Sequence, residues 1–228
     1  MSAFTIHSVP GSRFGRSVLA TLEEKRVPYR LAPLEPDALR APEHLALHPF
    51  GRVPVLEHDG FRLYETQAIL RYLDRVLPQP SLTPSEARRA ARMDQVMNVN
   101  DWYLFNDVGV ILFHRVIRTQ LLGLAPDEEA IKAALPKART VYDELARLLG
   151  EQPWFAGDTI SLADLMVAST VDSCTAIPEW NALGAPHANL VAWIERMQER
   201  PSMQATTWER VTAMAKAAQS FYVTSDAR

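Results

Sequence analysis

The stretch Gly51-Arg52-Val53-Pro54-Val55-Leu56-Glu57-His58, together with Phe61-Arg62-Leu63-Tyr64 shortly after it, decides the fold of this chain. The two runs flank Asp59-Gly60, a pair that strongly favours a type I′ hairpin. From Thr66 onward the apolar residues follow a 3.6-residue period, which predicts a helix over residues 66–77. This part of the chain is therefore predicted to be a ββα unit whose first strand carries a proline near its start.

The residues before this unit predict a β-α-β-α order. The predicted elements are a strand at residues 3–9, a helix at about 13–26, a strand at 27–31 and a short helix at 43–47. Ser12 directly precedes the first helix and is a candidate N-cap. Residues 1–77 are therefore predicted to form a domain with the order βαβαββα.

Three prolines within eight residues, Leu77 to Pro84, separate this domain from the rest of the chain. Such a composition suits a semi-rigid linker, so the domain boundary is predicted at residues 78–84. After the linker, helical apolar spacing alternates with short breaks, and no convincing strand pattern is present. Residues 85–228 are therefore predicted to form an all-helical domain, which gives an α/β plus all-α fold class.

The composition argues against several classes of function. The chain has 228 residues, of which 47% are hydrophobic and 22% charged, enough to bury a core. Its formal net charge of -3 provides no basic surface for nucleic acid. No stretch approaches the roughly 18 apolar residues of a membrane span, and the first residues show no basic leader. We therefore expect no nucleic-acid or membrane partner and a cytoplasmic location.

The cysteine and histidine pattern argues against disulfide and metal chemistry. Cys174 is the single cysteine and has no partner for an internal disulfide, which fits a reducing compartment. His44 and His48 are four residues apart and could suggest a metal pair. Pro49 interrupts the helix on which they would share a face, and no third ligand is apparent. We expect two solvated histidines and no metal site.

Two short motifs in the first domain suggest a site for a small anionic peptide. Val53-Pro54 either forms a cis turn at the sheet edge, which leaves the backbone of Val53 free to pair with an extended peptide, or merely begins a strand. At the start of the predicted helix, the Thr66 hydroxyl and the free amides suit a carboxylate, and the Glu65 carboxylate suits an ammonium group. The alternative for this pair is a plain N-cap with a solvated glutamate.

Four motifs follow one another along the chain: Pro10-Gly11-Ser12-Arg13-Phe14-Gly15-Arg16, His48-Pro49-Phe50-Gly51-Arg52-Val53-Pro54, Glu65-Thr66-Gln67-Ala68-Ile69 and Gly157-Asp158-Thr159-Ile160-Ser161-Leu162-Ala163-Asp164. In this order and spacing they resemble the motifs of the glutathione transferase family, in its bacterial, serine-type form. The resemblance covers nearly the whole chain and implies a thioredoxin-like first domain, glutathione as a co-substrate and a homodimer. Ser161 and Asp164 form a capping box, which we attribute to folding rather than to chemistry.

The resemblance also implies roles for residues of the first domain. The residues that would bind the peptide backbone and the γ-glutamyl group of glutathione are Val53, Pro54, Glu65 and Thr66. Arg52 and Arg40 would hold the glycyl carboxylate. Many serine-type relatives have a histidine-basic pair where this chain has Leu39-Arg40, so the chain departs from the family pattern at this point.

Ser12 matches the position at which serine-type members donate a hydroxyl to the glutathione thiolate, with Arg13 or Arg16 adding positive potential. Lowering a thiol pKa by about 2 units from its usual 8.5 corresponds to about 2.7 kcal/mol of preferential thiolate stabilisation. Helix capping alone is the alternative for Ser12, with an arginine or a backbone amide then stabilising the thiolate. Residues 10–16 contain no cysteine, which argues against the branches that form mixed disulfides with glutathione.

In the helical domain the resemblance implies an electrophile pocket and a subunit contact. The candidate pocket residues are Trp102, Phe105, Phe113 and His114, for which a place in the core or in a subunit interface is the alternative. Asp101 lies where an acidic group of some relatives reaches the γ-glutamyl amine of the neighbouring subunit, and the alternative for it is a surface aspartate. The predicted function is transfer of the glutathione thiolate to small, apolar electrophiles. The alternatives are glutathione-dependent isomerisation, dehalogenation or peroxide reduction on the same fold, and a non-catalytic ligand carrier or interaction subunit.

Overall fold

The computed structural model describes residues 4–225, with side chains described for residues 4–218. The described chain divides into two units. The first unit joins the residues up to Ser81 with those from Glu199 onward, and the second runs from Leu82 to Gln198. The first boundary falls inside the predicted linker. The residues from Glu199 onward, which the sequence-based division places in the helical domain, group instead with the first unit.

A four-stranded mixed sheet forms the centre of the first unit. Its strands are β1 (Phe4–Ser8), β2 (Tyr29–Pro33), β3 (Val55–His58) and β4 (Phe61–Tyr64), in the spatial order β2-β1-β3-β4. β1 runs parallel to β2 and antiparallel to β3, and β3 pairs with β4 in an antiparallel hairpin. The hairpin turn places Asp59 at φ 49° and Gly60 at φ 79°, as the sequence predicts.

β2 begins later than predicted, and the cause lies at the end of the preceding helix. That helix, α1 (Arg13–Lys25), is capped by Arg26 in the left-handed conformation, with φ 54°. The Val27 amide then donates a hydrogen bond to the carbonyl of Leu22, and Pro28 has no amide to offer a neighbouring strand. These residues complete the helix cap, so the strand starts only after them.

Three further short elements belong to the N-terminal part of the first unit. They are a 3-10 helix at Pro36–Arg40, α2 (Pro42–Leu45) and α3 (Thr66–Val76). The 3-10 helix was not predicted, because so short an element shows no periodic pattern. α1 packs very closely on β1: a Cβ added to Gly15 would lie 2.0 Å from the Oγ of Ser8. A glycine is therefore required at this point of the helix.

The second unit is built from helices. They are α4 (Ala87–Val99), α5 (Gly109–Leu112), α6 (Glu128–Leu149), α7 (Leu162–Cys174), α8 (Trp180–Leu183) and α9 (Ala188–Gln198). A π-helical segment at Asn100–Val108 joins α4 to α5, and a second one at Phe113–Leu121 extends α5, so the four form one long helical segment. Glycine and proline residues lie in the breaks on either side of α6, with Gly123 and Pro126 before it and Gly150 and Pro153 after it. The π-helical turns were not predicted, because the apolar spacing does not distinguish them from α-helix.

Two C-terminal helices, α10 (Pro201–Ala205) and α11 (Trp208–Ser225), complete the first unit. Arg200 donates two hydrogen bonds of 2.7 Å to the Glu24 carboxylate, and the Ser202 hydroxyl donates a third of 2.5 Å. Burial by itself would raise the pKa of Glu24, but the bonds from Arg200 and Ser202 outweigh burial and keep this pKa below its usual value. These hydrogen bonds connect the start of α10 to α1.

The fold class predicted from the sequence is confirmed. A thioredoxin-like βαβαββα order is followed by a helical region. None of the helices in the described part of the chain combines the length and the apolar composition that crossing a bilayer requires.

Candidate functional site

The predicted binding segments of the first unit meet at one end of the sheet. Because β1 and β3 are antiparallel, with His7 opposite Val55, the segment that leaves β1 and the segment that enters β3 lie at the same end. Val55 is also opposite Tyr64, so the chain leaves β4 at this end too. The loop after β1, the turn before β3 and the start of α3 are therefore neighbours, and these three segments carry the predicted binding residues.

Ser12 is the N-cap of α1. Its backbone has φ -65° and ψ 118°, and its Oγ accepts a hydrogen bond of 3.1 Å from the Gly15 amide. A hydroxyl that accepts one hydrogen bond retains its own hydrogen for donation. Capping and thiolate binding, which the sequence left as alternatives, are therefore compatible at this residue. The amides of the first helical turn add positive potential at the same point.

The two arginines predicted to support Ser12 differ in their surroundings. Arg13 is the first residue of α1 and is half-buried. Arg16 donates from Nη2 to the carbonyl oxygen of Met203 in α10, at 3.1 Å. This contact connects Arg16 to the C-terminal helices, and both arginines remain candidates for positive potential beside Ser12.

The peptide bond between Val53 and Pro54 is cis, as the first interpretation of this pair requires. β3 begins only at Val55, so the sequence placed the start of the strand too early. In the described part of the chain, neither the amide nor the carbonyl of Val53 takes part in a backbone hydrogen bond. An extended peptide running alongside would find both groups available.

The turn before the cis peptide is held by neighbours from the 3-10 helix and α2. Gly51 has φ 59°, and a Cβ added to it would lie 2.7 Å from the carbonyl oxygen of Leu39 and 3.1 Å from Nη1 of Arg40. His44 Nε2 lies 2.8 Å from the carbonyl oxygen of Arg52 and donates to it. Arg40 and Arg52 are both exposed beside this turn, where either can reach an anionic ligand.

His44 and His48 are buried, and the expectation that both are solvated is wrong. Each residue is 2% exposed, and the Nδ1 atom of each has no hydrogen-bond partner among the described residues. The His48 ring lies 4.5 Å from the Tyr64 ring. Burial lowers the pKa of His48, although the Glu65 carboxylate acts in the opposite direction. The expectation failed because His44 lies in α2 and His48 just after it, and an element this short has no periodic pattern to show which side chains are buried.

Glu65 and Thr66 form the N-terminus of α3. Glu65 has φ 71° and ψ 113°, and its side chain makes no capping bond, so it does not act as a plain N-cap. This backbone conformation costs a non-glycine residue roughly 1–3 kcal/mol and is typical of ligand sites. Glu65 is exposed, whereas Thr66 is buried at the first helical position. An exposed carboxylate beside free helix amides can hold both charges of an amino-acid head group.

The candidate pocket residues of the second unit lie on its long helical segment. Trp102 and Phe113 are 68% and 43% exposed, whereas Phe105 and His114 are half-buried. The Nδ1 atom of His114 accepts a hydrogen bond of 3.4 Å from the amide of Asp127. His114 is thereby tied to the start of α6, while the two exposed aromatic side chains are accessible to a ligand or to another chain.

Asp101 lies in the first π-helical segment. Its Oδ1 accepts a hydrogen bond of 3.2 Å from Nδ2 of the buried Asn100. The Oδ1 of Asn100 in turn accepts a bond of 3.3 Å from the hydroxyl of Thr170. This chain of bonds orients the Asp101 carboxylate in a part of the helix whose π-helical geometry is frequent at functional sites. Among the described residues, no group of three or more His, Cys, Asp or Glu side chains is arranged to hold a metal ion.

Comparison with known proteins identifies the family. Residues 6–81 match the profile described as glutathione S-transferase, N-terminal domain, and residues 105–201 match its C-terminal domain. The chain is 34% identical to a probable glutathione S-transferase GSTF2 of Oryza sativa subsp. japonica, over 82% of this chain and 87% of that protein. It is 30% identical to glutathione S-transferase hmp2 of Hypomyces subiculosus, over 87% of this chain and 93% of that protein.

A solved structure gives the same result. Glutathione S-transferase-I bound with the ligand lactoylglutathione matches with a TM-score of 0.79 and 28% identity, covering 89% of this chain and 97% of that one. The two relatives named above come from a plant and a fungus, so they do not support the bacterial form that the motifs suggested. The chain belongs to the glutathione S-transferase family.

Proposed function

We propose that this protein binds glutathione at the end of the sheet described above, lowers the pKa of its thiol and transfers the thiolate to small, apolar electrophiles. One observation carries the proposal: two helix N-termini and one unpaired backbone segment meet at that end. Helix N-termini favour anions, and an unpaired extended segment favours a peptide. Glutathione is an anionic peptide that carries a thiol, so it suits all three.

Each part of glutathione has a proposed partner. The backbone of Val53 pairs with the peptide, at the turn that Pro54 closes. Glu65 binds the ammonium group of the γ-glutamyl residue, and the N-terminus of α3 at Thr66 binds its carboxylate. The exposed Arg40 and Arg52 bind the glycyl carboxylate at the other end of the peptide.

The Ser12 hydroxyl is the proposed donor to the thiolate, in the manner of serine-type members. A hydrogen bond to a charged group contributes about 1.5–3 kcal/mol, and a helix N-terminus adds about 0.3–1 kcal/mol. Together these effects reach the roughly 2.7 kcal/mol that a decrease of 2 units in the thiol pKa requires. Arg13 or Arg16, in the first turn of α1, adds positive potential from the same helix end.

The acceptor and the assembly complete the proposal. The residues proposed to contact the acceptor in the second unit are Trp102, Phe105, Phe113 and His114.

We propose a homodimer in which Asp101 reaches the γ-glutamyl amine bound by the neighbouring subunit. Exposed aromatic side chains support an interface, since Phe50 is 62% and Tyr103 is 56% exposed. Sedimentation at micromolar concentration tests the dimer, and a monomer mass would contradict it. We propose a cytoplasmic location, because the chemistry needs reduced glutathione.

The experiment that tests the activity is a pH titration of the thiolate absorbance of bound glutathione. Wild-type protein is compared with Ser12→Ala and with the control Ser17→Ala, whose hydroxyl donates within α1 to the carbonyl of Arg13 at 3.0 Å. We expect half-ionisation well below the usual thiol pKa in wild type and in the control, and a return toward the usual value in Ser12→Ala. A lowered pKa that persists in Ser12→Ala would shift the role to Arg13, Arg16 or the helix amides.

The same titration separates the alternative functions. Saturable binding without any decrease in the thiol pKa would favour a non-catalytic carrier over an enzyme. If the pKa is lowered, product analysis with alkyl halides, activated aromatic halides and organic peroxides distinguishes conjugation from dehalogenation and from peroxide reduction. No binding of glutathione would contradict the whole proposal.

A further inference from the structure

An aromatic ring from the C-terminal part of the chain lies against one side of the exposed loop that precedes the proposed thiolate donor. Gly11 has φ 84°, and a Cβ added to it would lie 3.1 Å from Cε2 and 3.4 Å from Cδ2 and Cζ2 of Trp208. The indole of Trp208, the first residue of α11, therefore lies directly against the backbone of the residue that precedes Ser12. Trp208 is half-buried, so part of the ring is accessible.

The position of this ring is fixed by contacts with the helix that presents Ser12. Arg200 and Ser202 bond the Glu24 carboxylate near the C-terminal end of α1. Near the N-terminal end, Arg16 bonds the carbonyl of Met203. α10 is thus held at two points along α1, and α11 begins directly after it. α1 thus positions both groups, because Ser12 is its N-cap and α10, which it holds, leads into Trp208. The indole of Trp208 is thereby fixed relative to the loop before Ser12.

We infer that Trp208 is a specificity-determining residue that forms an aromatic wall beside the thiolate and selects planar aromatic electrophiles. This inference rests on the proposed function, because the ring matters only if a thiolate forms at Ser12. An indole face offers stacking that an aliphatic acceptor does not use, and such pairs contribute beyond their buried area. Ligand sites of this kind combine mostly apolar walls with a few polar groups, which here are Ser12 and the helix amides.

A purely structural role for Trp208 makes a different prediction. If the ring only fills space between α11 and the loop, its loss weakens every ligand equally or destabilises the fold. If the ring stacks on the acceptor, its loss weakens aromatic ligands selectively and leaves the affinity for glutathione unchanged. The ratio of the affinities for an aryl and an alkyl ligand therefore separates the two roles, because a general loss of folded protein does not alter that ratio.

The test is calorimetric binding of glutathione, S-methylglutathione and S-(2,4-dinitrophenyl)glutathione to wild type, Trp208→Leu, Trp208→Phe and the control Trp154→Leu. Trp154 is also half-buried, but it belongs to the second unit. We expect Trp208→Leu to lose about threefold to tenfold in affinity for the dinitrophenyl conjugate, with the other two ligands unaffected. Trp208→Phe should retain most of the preference, and Trp154→Leu all of it.

Each outcome has one meaning. An unchanged aryl-to-alkyl ratio in Trp208→Leu, in protein that still binds glutathione, overturns the inference and leaves the proposed function intact. A parallel loss for all three ligands also overturns it, because the ring would then support the peptide site or the fold. Failure of wild type to bind glutathione and both conjugates contradicts the proposed function, and the inference falls with it.

Discussion

The starts of α3 and α7 each carry an acidic residue, Glu65 at the N-cap of α3 and Asp164 in the first turn of α7, and the two carboxylates have opposite surroundings. At the start of α7, Asp164 is fully buried and accepts hydrogen bonds from the amides of Phe155 and Ser161, the hydroxyl of Ser161 and the indole of Trp193, at 2.7–3.0 Å. At the N-cap of α3, the Glu65 side chain is exposed and its carboxylate accepts no capping hydrogen bond. A satisfied carboxylate stabilises the fold, whereas an unsatisfied one is free to bind.

The backbone conformations of Asp164 and Glu65 also differ, since that of Asp164 is regular and that of Glu65 is strained. Burial raises the pKa of Asp164, and the bonds from Phe155, Ser161 and Trp193 counteract part of that effect. Asp164 lies within regular α-helix, so its position is stabilised by ordinary secondary structure. Glu65 has positive φ without being glycine, so the fold maintains it against a local preference. The chain thus places local strain at the proposed ligand site and not at the folding motif.

The largest expected effect is the loss of stability when the buried carboxylate of Asp164 is replaced. Asp164→Asn should lower the free energy of unfolding by about 4 kcal/mol, because buried donors that lose their acceptor cost about 1–3 kcal/mol each. Urea unfolding measures this change, with Asp158→Asn as the control. Asp158 pairs with Arg89 at the surface, so its replacement should change stability by less than about 1 kcal/mol. A similar small loss in both variants would contradict the folding role of Asp164.

The next effect separates binding from folding at the exposed carboxylate. Glu65→Gln should weaken glutathione binding by about 10- to 100-fold, because a hydrogen bond to a charged group contributes about 1.5–3 kcal/mol. The free energy of unfolding should not fall, since this side chain makes no capping hydrogen bond. Calorimetric titration measures the affinity, and Glu43→Gln removes an exposed charge from the same unit as a control. Equal affinities in the two variants would refute the role of Glu65.

A smaller effect should reveal the strain at Glu65. Glycine tolerates the positive φ of this position and alanine does not, so Glu65→Gly should exceed Glu65→Ala in free energy of unfolding by about 1 kcal/mol. Both variants should lose glutathione affinity to the same extent. Urea unfolding of the pair gives the difference directly. If the alanine variant is the more stable of the two, the positive φ is not a source of strain.

The smallest effect concerns acid stability through His48. A histidine whose pKa is lowered in the folded protein contributes stability that is fully present above its unfolded-state pKa near 6.5. That stability is lost as the pH falls through the lower, folded-state pKa. Wild type should therefore lose more stability than His48→Phe between neutral pH and mild acid. Parallel pH dependences of the two unfolding free energies would show that His48 does not contribute.

Local sequence signals predicted the fold and the local backbone geometry of two segments of the candidate site. Asp59-Gly60 determines its own hairpin, and Val53-Pro54 and Glu65-Thr66 are each read from adjacent residues. The element ends were less accurate, because the left-handed cap at Arg26 uses residues that also resemble a strand. Short elements such as α2 carry too few residues for a period, so the burial of His44 was missed.

The parts that could not be predicted depend on contacts between distant residues. Glu24 and Arg200 are 176 residues apart, and nothing in either neighbourhood indicates the partner. The same holds for Gly11 and Trp208, whose contact brings an aromatic ring to the candidate site. From the sequence alone, a tryptophan near the end of a helical region looks the same as one that only packs in the core. Only the path of the folded chain shows where it lies.

The first unit is discontinuous in the chain, and this has a consequence for the order of synthesis. Domains generally fold as they leave the ribosome, beginning at the N-terminus. Here the complete second unit emerges before α10 and α11, so Glu24 and Gly11 meet Arg200 and Trp208 only after the second unit has been made. The first unit, whose synthesis begins before that of the second, can therefore be completed only after the second.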